Sequence, residues 1–184
     1  MWLEYSRSNF VVNFGTVDYC PVRLEIPGSM PTKVRGFIVG GFPSLETDGA
    51  FYIEVGREVR EFRDGLSKTA MGSELLSGKE ITDLRGIWFF PIWGGAAYNH
   101  RFTPNSSNPD SLHYQNQCDP PISLDMPCAT GATETSEVYT SARSKHPGGV
   151  NVVFGDGHVA FISDDVSLTA VSYTHLTLPT TPYV

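Results

Sequence analysis

The segment GVNVVFGDGHVAFIS, Gly149 to Ser163, constrains the fold more than any other stretch of the chain. Val150, Val152 and Phe154 alternate with Asn151 and Val153, and beyond Asp156-Gly157, Val159 and Phe161 alternate with His158, Ala160 and Ile162. Period-two patterning on both sides of Asp-Gly reads as a β-hairpin, because a type I′ turn needs positive φ at both central residues. That reading sets Phe154 opposite Val159 and Val152 opposite Phe161, with Gly155 as a bulge. One face then carries Val150, Val152, Phe154, Val159 and Phe161. The other carries Asn151, Val153, Ala160 and Ile162 and is also largely apolar, so both sides are expected to be covered.

His146 and Asp156 flank this segment and invite a catalytic or metal-binding reading. About six strand residues separate Val150 from the turn, roughly 20 Å at ~3.3 Å per residue. A shared proton needs a contact of about 2.6–3.2 Å. Asp156 is therefore read as a turn residue, and His146 as a loop side chain hydrogen-bonded to backbone. A triad of Ser67, His146 and Asp156 fails on the same separation, and no GxSxG elbow is present. The chain is read as no enzyme, with no cofactor.

The rest of the chain supports an α+β fold, mainly antiparallel β. The sequence holds 18 Gly and 13 Pro in 184 residues, many of them between short apolar runs. SNFVVNFGTV contains a strand ending at Gly15, and KVRGFIVGGF holds another, broken at Gly40-Gly41. GAFYIEVGREVREF alternates at Phe51, Ile53 and Val55. RDGLSKTAMGSELLSG opens on an Asp-Gly turn and is ambiguous between short helix and strand. The expected core comprises Phe37, Ile38, Phe51, Ile53, Trp88, Phe89, Val152, Phe154, Val159 and Phe161. Residues 100–137 form a long polar stretch that needs a function or a staple.

Charge and cysteines narrow the partners. Thirteen Lys and Arg against 20 Asp and Glu give −7, with no basic stripe, so nucleic acid has no electrostatic footprint. No apolar run reaches the ~18 residues of a membrane span, so this stretch makes no membrane contact itself. Of the three cysteines, Cys118 and Cys128 flank a Pro-rich loop; they are either bridged or two free thiols, according to the compartment. Zinc spacing is absent, and no metal site is assigned. Asp64, Glu74, Asp83 or Asp164-Asp165 could ligate calcium as hard oxygen donors, but no EF-hand pattern holds them. The last fourteen residues, VSYTHLTLPTTPYV, are uncharged and aperiodic, and the first eleven look like a translated transposon-end sequencing adapter. The expected organisation is a head domain over 1–170 and an artefactual tail over 171–184.

Several segments in order carry a family resemblance. SKHPGGVNVVFGDGHVAFIS contains His-x9-Asp-Gly, and RDGLSKTAMGSE, DLRGIWFF, TPNSSNPD, Cys118, Cys128 and SARSKHPGG accompany it. Together they resemble domain-of-unknown-function family 1559, associated with prepilin-type processing. The family motif falls on Asp64, Gly65, Ser67, Thr69, Glu74, His146, Gly149, Asp156 and Gly157. Lys68 and His158 depart from it. The resemblance implies a pilin-like head that has lost an N-terminal apolar helix, in an envelope or extracellular setting. It implies pilin-like subunits as partners, through that helix, and an oxidising location that favours a Cys118–Cys128 bridge. It also implies that one sheet face is uncovered without the helix. The function expected is a non-enzymatic structural subunit. The alternative is an extracellular module binding glycan, protein or calcium through segment 86–98, with Trp88 and Trp93, and the polar loop 100–137.

Overall fold

A computed structural model describes residues 6–15, 49–51, 56–80, 82–88, 94–112, 124–129 and 138–169, and the backbone of 36–39 and 42–45. Among the described residues seven strands form: β1 (Phe10–Asn13), β2 (Gly36–Val39), β3 (Phe42–Leu45), β4 (Ala70–Glu74), β5 (Ala97–Tyr98), β6 (Gly149–Phe154) and β7 (Val159–Ser163). Five make one sheet in the order β5-β1-β4-β6-β7, while β2 and β3 pair separately. β5 runs parallel to β1 and the remaining neighbours are antiparallel, so the sheet is mixed. The helical part of the expected α+β class is reduced, among the described residues, to two 3-10 turns, Val59–Glu61 and Leu66–Lys68, and to helical backbone at Leu168 and Thr169. The ambiguous RDGLSKTAMGSE segment is divided. Its 3-10 turn starts from Gly65, whose φ of 88° suits glycine, and its second half is β4.

β6 and β7 pair in a register one residue away from the predicted one. Val153 faces Val159, Val152 faces Ala160 and Asn151 faces Phe161. The cause lies in the connection. The Phe154 amide donates to the His158 carbonyl (2.9 Å), the Gly157 amide donates to the Phe154 carbonyl (2.9 Å), and Gly157 sits at φ 88°. Gly155, Asp156 and Gly157 thus form a three-residue loop ending in a left-handed glycine, not a two-residue type I′ turn. One residue of slip moves every side chain of the second strand to the opposite face.

That slip divides the sheet into two unlike faces, because directly paired residues share a side. On one side Val11, Ala70, Tyr98, Val150 and Val152 are buried with Leu75 and Ala142, and Phe154 and Ile162 pack against them. Each buried valine there contributes about 1.5–3 kcal/mol. The other side presents Phe10, Val12, Val153, Val159 and Phe161. Phe10 is 60% exposed, Val159 63% and Phe161 52%.

The expected core is corrected accordingly. Val152 is buried and Phe154 partly so, but Val159 and Phe161 lie on the open face, Phe51 is exposed and Trp88 is 60% exposed. Ile53 and Phe89 lie outside the described residues, and Phe37 and Ile38 are described in backbone only. Gly149 fits where β7 comes closest, since a Cβ there would lie 2.2 Å from the Ile162 carbonyl oxygen.

Candidate functional site

Four charged side chains converge with 1% exposure or less: Asp83, Arg85, Asp110 and Arg143. Arg85 Nη2 donates to Asp83 Oδ2 at 2.6 Å, and its Nη1 reaches Asp110 Oδ2 at 3.3 Å and the Met126 carbonyl at 3.0 Å. Arg143 Nε and Nη2 both donate to Asp110 (3.0 Å to Oδ2 and 3.0 Å to Oδ1), and its other contacts are the Ser106 and Asn108 carbonyls. Asp110 Oδ1 also accepts the Ser141 amide. Two cations and two anions cancel, and carbonyls take donors that the carboxylates leave over. Burial alone would pull the Arg85 guanidinium down, but hydrogen bonding to Asp83 and the charges of Asp83 and Asp110 leave it above its ordinary value.

The network is a clamp. It ties loop 82–88 to the polar stretch at 106–111, to 126–129 and to 138–143. Arg7 adds a second hold on the first of these loops, donating to the Asp83 and Arg85 carbonyls (2.7 and 2.8 Å) and to that of Glu80 (2.7 Å). Arginines therefore staple the described parts of the polar stretch, at 106–111 and 126–129. Cys128 is buried beside Asp110, across a parallel bridge. Its proposed partner Cys118 lies outside the described residues, as does Trp93.

The motif residues gather in two other places. Glu74, at the end of β4, takes His146 Nε2 at 3.0 Å on one carboxylate oxygen and the Asn151 amide at 2.8 Å on the other. His146 thus bonds to a carboxylate instead of the backbone expected for its side chain; its own amide donates to Ser144 Oγ. At the hairpin-side turn, the Gly155 amide donates to the Leu66 and Thr69 carbonyls (2.9 and 3.0 Å), and Thr69 Oγ1 donates to the Gly65 carbonyl. The Asp-Gly segment at 64–65 and the one at 156–157 are joined by this contact.

Asp156 accepts the His158 amide at 3.1 Å, and His158 Nδ1 lies 2.6 Å from the same oxygen. These bonds, backbone first, hold the Asp156 carboxyl below its ordinary value. The His158 ring stacks on Phe154 with centroids 4.5 Å apart. Ser67 is exposed, and His146 and Asp156 serve different partners, so the three do not form one site. The calcium candidates are dispersed as well: Asp83 is held by Arg85, Glu74 by His146 and Asn151, and Asp164 by Asn105 Nδ2 at 2.8 Å. Among the described residues no group of three His, Cys, Asp or Glu side chains could hold a metal ion.

Sequence comparison matches residues 41–169 to the family of proteins of unknown function DUF1559. The chain belongs to the DUF1559 family. No curated protein and no solved structure matches it. In this DUF1559 domain the clamp is assembled from segments that carry the likeness: DLRGIWFF supplies Asp83 and Arg85, TPNSSNPD supplies Asp110, and SARSKHPGG supplies Arg143. Sequence reading named Asp83 only as a calcium candidate and missed the other three. The available signal was a set of isolated Asp and Arg side chains, three of which, Arg85, Asp110 and Arg143, stand beside Gly, Pro or Ser.

Proposed function

We propose that this DUF1559 domain is a non-enzymatic structural subunit, the C-terminal head of a pseudopilin-like envelope or secretion-associated protein. The observation that carries the reading is the open sheet face. Val153, Val159 and Phe161 project from the adjoining strands β6 and β7 and are exposed, and Phe10 is exposed on the same face of β1, across Glu74 of β4. Scattered apolar side chains on a surface mean little, but a contiguous patch marks a place where something binds. An apolar helix of the parent protein, as the prepilin-type likeness implies, is the occupant of that face. Its other half would join the head to neighbouring pilin-like subunits.

The clamp and the proposed Cys118–Cys128 bridge suit this role. Both hold the long polar stretch in place without a large core, and the bridge belongs to the oxidising side of an envelope. Long-read sequencing of the source DNA tests the reading. A prepilin leader and an apolar helix are expected immediately upstream of Met1. A reading frame that starts at Met1 would overturn it.

A second reading rests on Trp88. Its exposure at the start of segment 86–98 fits an extracellular module that stacks an aromatic side chain on a glycan. Glycan-array binding that Trp88→Ala abolishes would favour this module over the subunit.

A further inference from the structure

The two edges of the five-stranded sheet are finished differently. β5 closes one side with two residues, Ala97 and Tyr98, and the segment at Thr140 lies against it. Thr140 Oγ1 donates to the Ala97 carbonyl at 3.3 Å, and the Asn99 amide donates to the Thr140 carbonyl at 3.0 Å. β7 closes the other side with five residues, Val159–Ser163. Edge strands ordinarily carry a charge, a proline or a bulge that blocks further pairing. VAFIS has neither charge nor proline, and it pairs with β6 in unbroken register.

The register shows which backbone groups of β7 point outward. The Phe154 amide donates to the His158 carbonyl, and the Asp164 amide donates to the Gly148 carbonyl. Antiparallel pairs alternate between bonded and non-bonded, so Ala160 and Ile162 also turn their amides and carbonyls toward β6. Val159, Phe161 and Ser163 turn theirs away from it. Among the described residues one backbone bond reaches this outer row, from the Val166 amide to the Ser163 carbonyl at 3.2 Å. All three side chains are exposed, so the row of donors and acceptors is open to solvent.

We propose that this edge pairs with the same edge of a second copy of the chain, antiparallel about a two-fold axis at Phe161. Phe161 then exchanges two backbone bonds with Phe161 of the partner subunit, and the Ser163 amide donates to the carbonyl of Val159 of the partner subunit on each side of the axis. Charge at the strand ends selects this arrangement. His158 precedes the strand and Asp164 follows it, both on the side of Ala160 and Ile162. The two-fold register sets His158 beside Asp164 of the partner subunit twice, at non-bonded positions where side chains come closest. Parallel pairing would set Asp164-Asp165 against its like. The same register brings the two Phe161 rings together on the open face and covers apolar surface that each copy exposes alone. This contact does not depend on the subunit reading, whose helix lies on the face of the sheet and not at its edge.

The test combines sedimentation with cysteine cross-linking on the full 184-residue chain. Analytical ultracentrifugation across the micromolar range should show a reversible monomer–dimer equilibrium. Phe161→Lys sets like charges directly across the axis and should weaken dimerisation by about ten-fold or more, with circular dichroism reporting that the variant is folded. Phe161→Cys places the two copies of residue 161 about 5.5 Å apart between Cα atoms, inside the roughly 4.4–6.8 Å that a disulfide spans. Mild oxidation should therefore join residue 161 to residue 161, as read by mass spectrometry of the linked peptides. Val159→Cys should give no such link, because the two copies of residue 159 lie four residues out of register, about 13 Å apart at ~3.3 Å per residue. A chain that stays monomeric throughout the range would overturn the proposal. So would equal cross-linking at 159 and 161, which marks unspecific association, or dimerisation that Phe161→Lys leaves intact. If Phe161→Lys does not fold, the comparison of the two cysteine variants decides the matter.

Discussion

The two faces of the five-stranded sheet are built from the same kinds of residue and behave oppositely. Val150, Val152 and Ile162 on one side are covered by the segments around Tyr98 and Ala142, while Val153, Val159 and Phe161 on the other stand in solvent. Hydrophobicity alone does not decide which valine is core. The loop Gly155–Gly157 decides it, by fixing which residues of β6 and β7 share a side. The loops are in turn held by a device that owes nothing to hydrophobicity, the Arg85–Asp110–Arg143 clamp. Substitutions on the two sides should therefore separate sharply.

The largest effect is expected at the clamp. Asp110→Ala would leave Arg85 and Arg143 buried with only Asp83 and carbonyls as partners, and removing one partner of a buried ion pair costs about 3–5 kcal/mol. Urea unfolding monitored by circular dichroism should show a loss of that order, or a chain that no longer folds. Next comes the covered face, where Val152→Ala should cost roughly 2 kcal/mol through lost burial and the cavity left behind. The matched change Val159→Ala on the open face should fall within about 0.5 kcal/mol of zero in this chain. Equal costs for these two valines would contradict the division of the faces.

A smaller effect is expected at Glu74. Glu74→Gln weakens the contacts to His146 and to the Asn151 amide, and should cost about 1 kcal/mol in the same assay. The smallest belongs to Asp156, whose side chain is exposed. Its carboxyl is depressed below the ordinary 3.8 by the His158 amide and ring. A depressed acid contributes stability above its unfolded value, and that contribution is lost as pH falls from 3.8 through the lower folded value. Asp156→Asn should accordingly lower the unfolding midpoint slightly at neutral pH and leave it unchanged at the acid end, so that the acid limb of a plot of midpoint against pH is flatter.

What the sequence made legible follows from where the information is local. The strand character of Gly149–Phe154 and Val159–Ser163 is written in alternation, and the turn in Asp156-Gly157. The register is not, because Gly155-Asp156-Gly157 can close either a two-residue or a three-residue loop, and only the hydrogen bond from Phe154 to His158 distinguishes them. The clamp was invisible for a different reason. Asp110 is 25 residues from Arg85 and 33 from Arg143, and nothing periodic links them. Trp88 and Phe51 misled because large aromatics are usually buried, whereas here they stand at loop surfaces. Glu74 and His146 appeared as motif members, but their contact spans 72 residues.

The central claim, that the open face seats a helix of the parent protein, can be tested on one side chain. Val159→Cys is introduced into this chain and into the protein extended by its upstream coding sequence, and the rate of thiol labelling at residue 159 is read by mass spectrometry. Fast labelling in the short chain and strong protection in the extended protein are expected. Equally fast labelling in both would contradict the account, because the face would then be free whether or not the helix is attached.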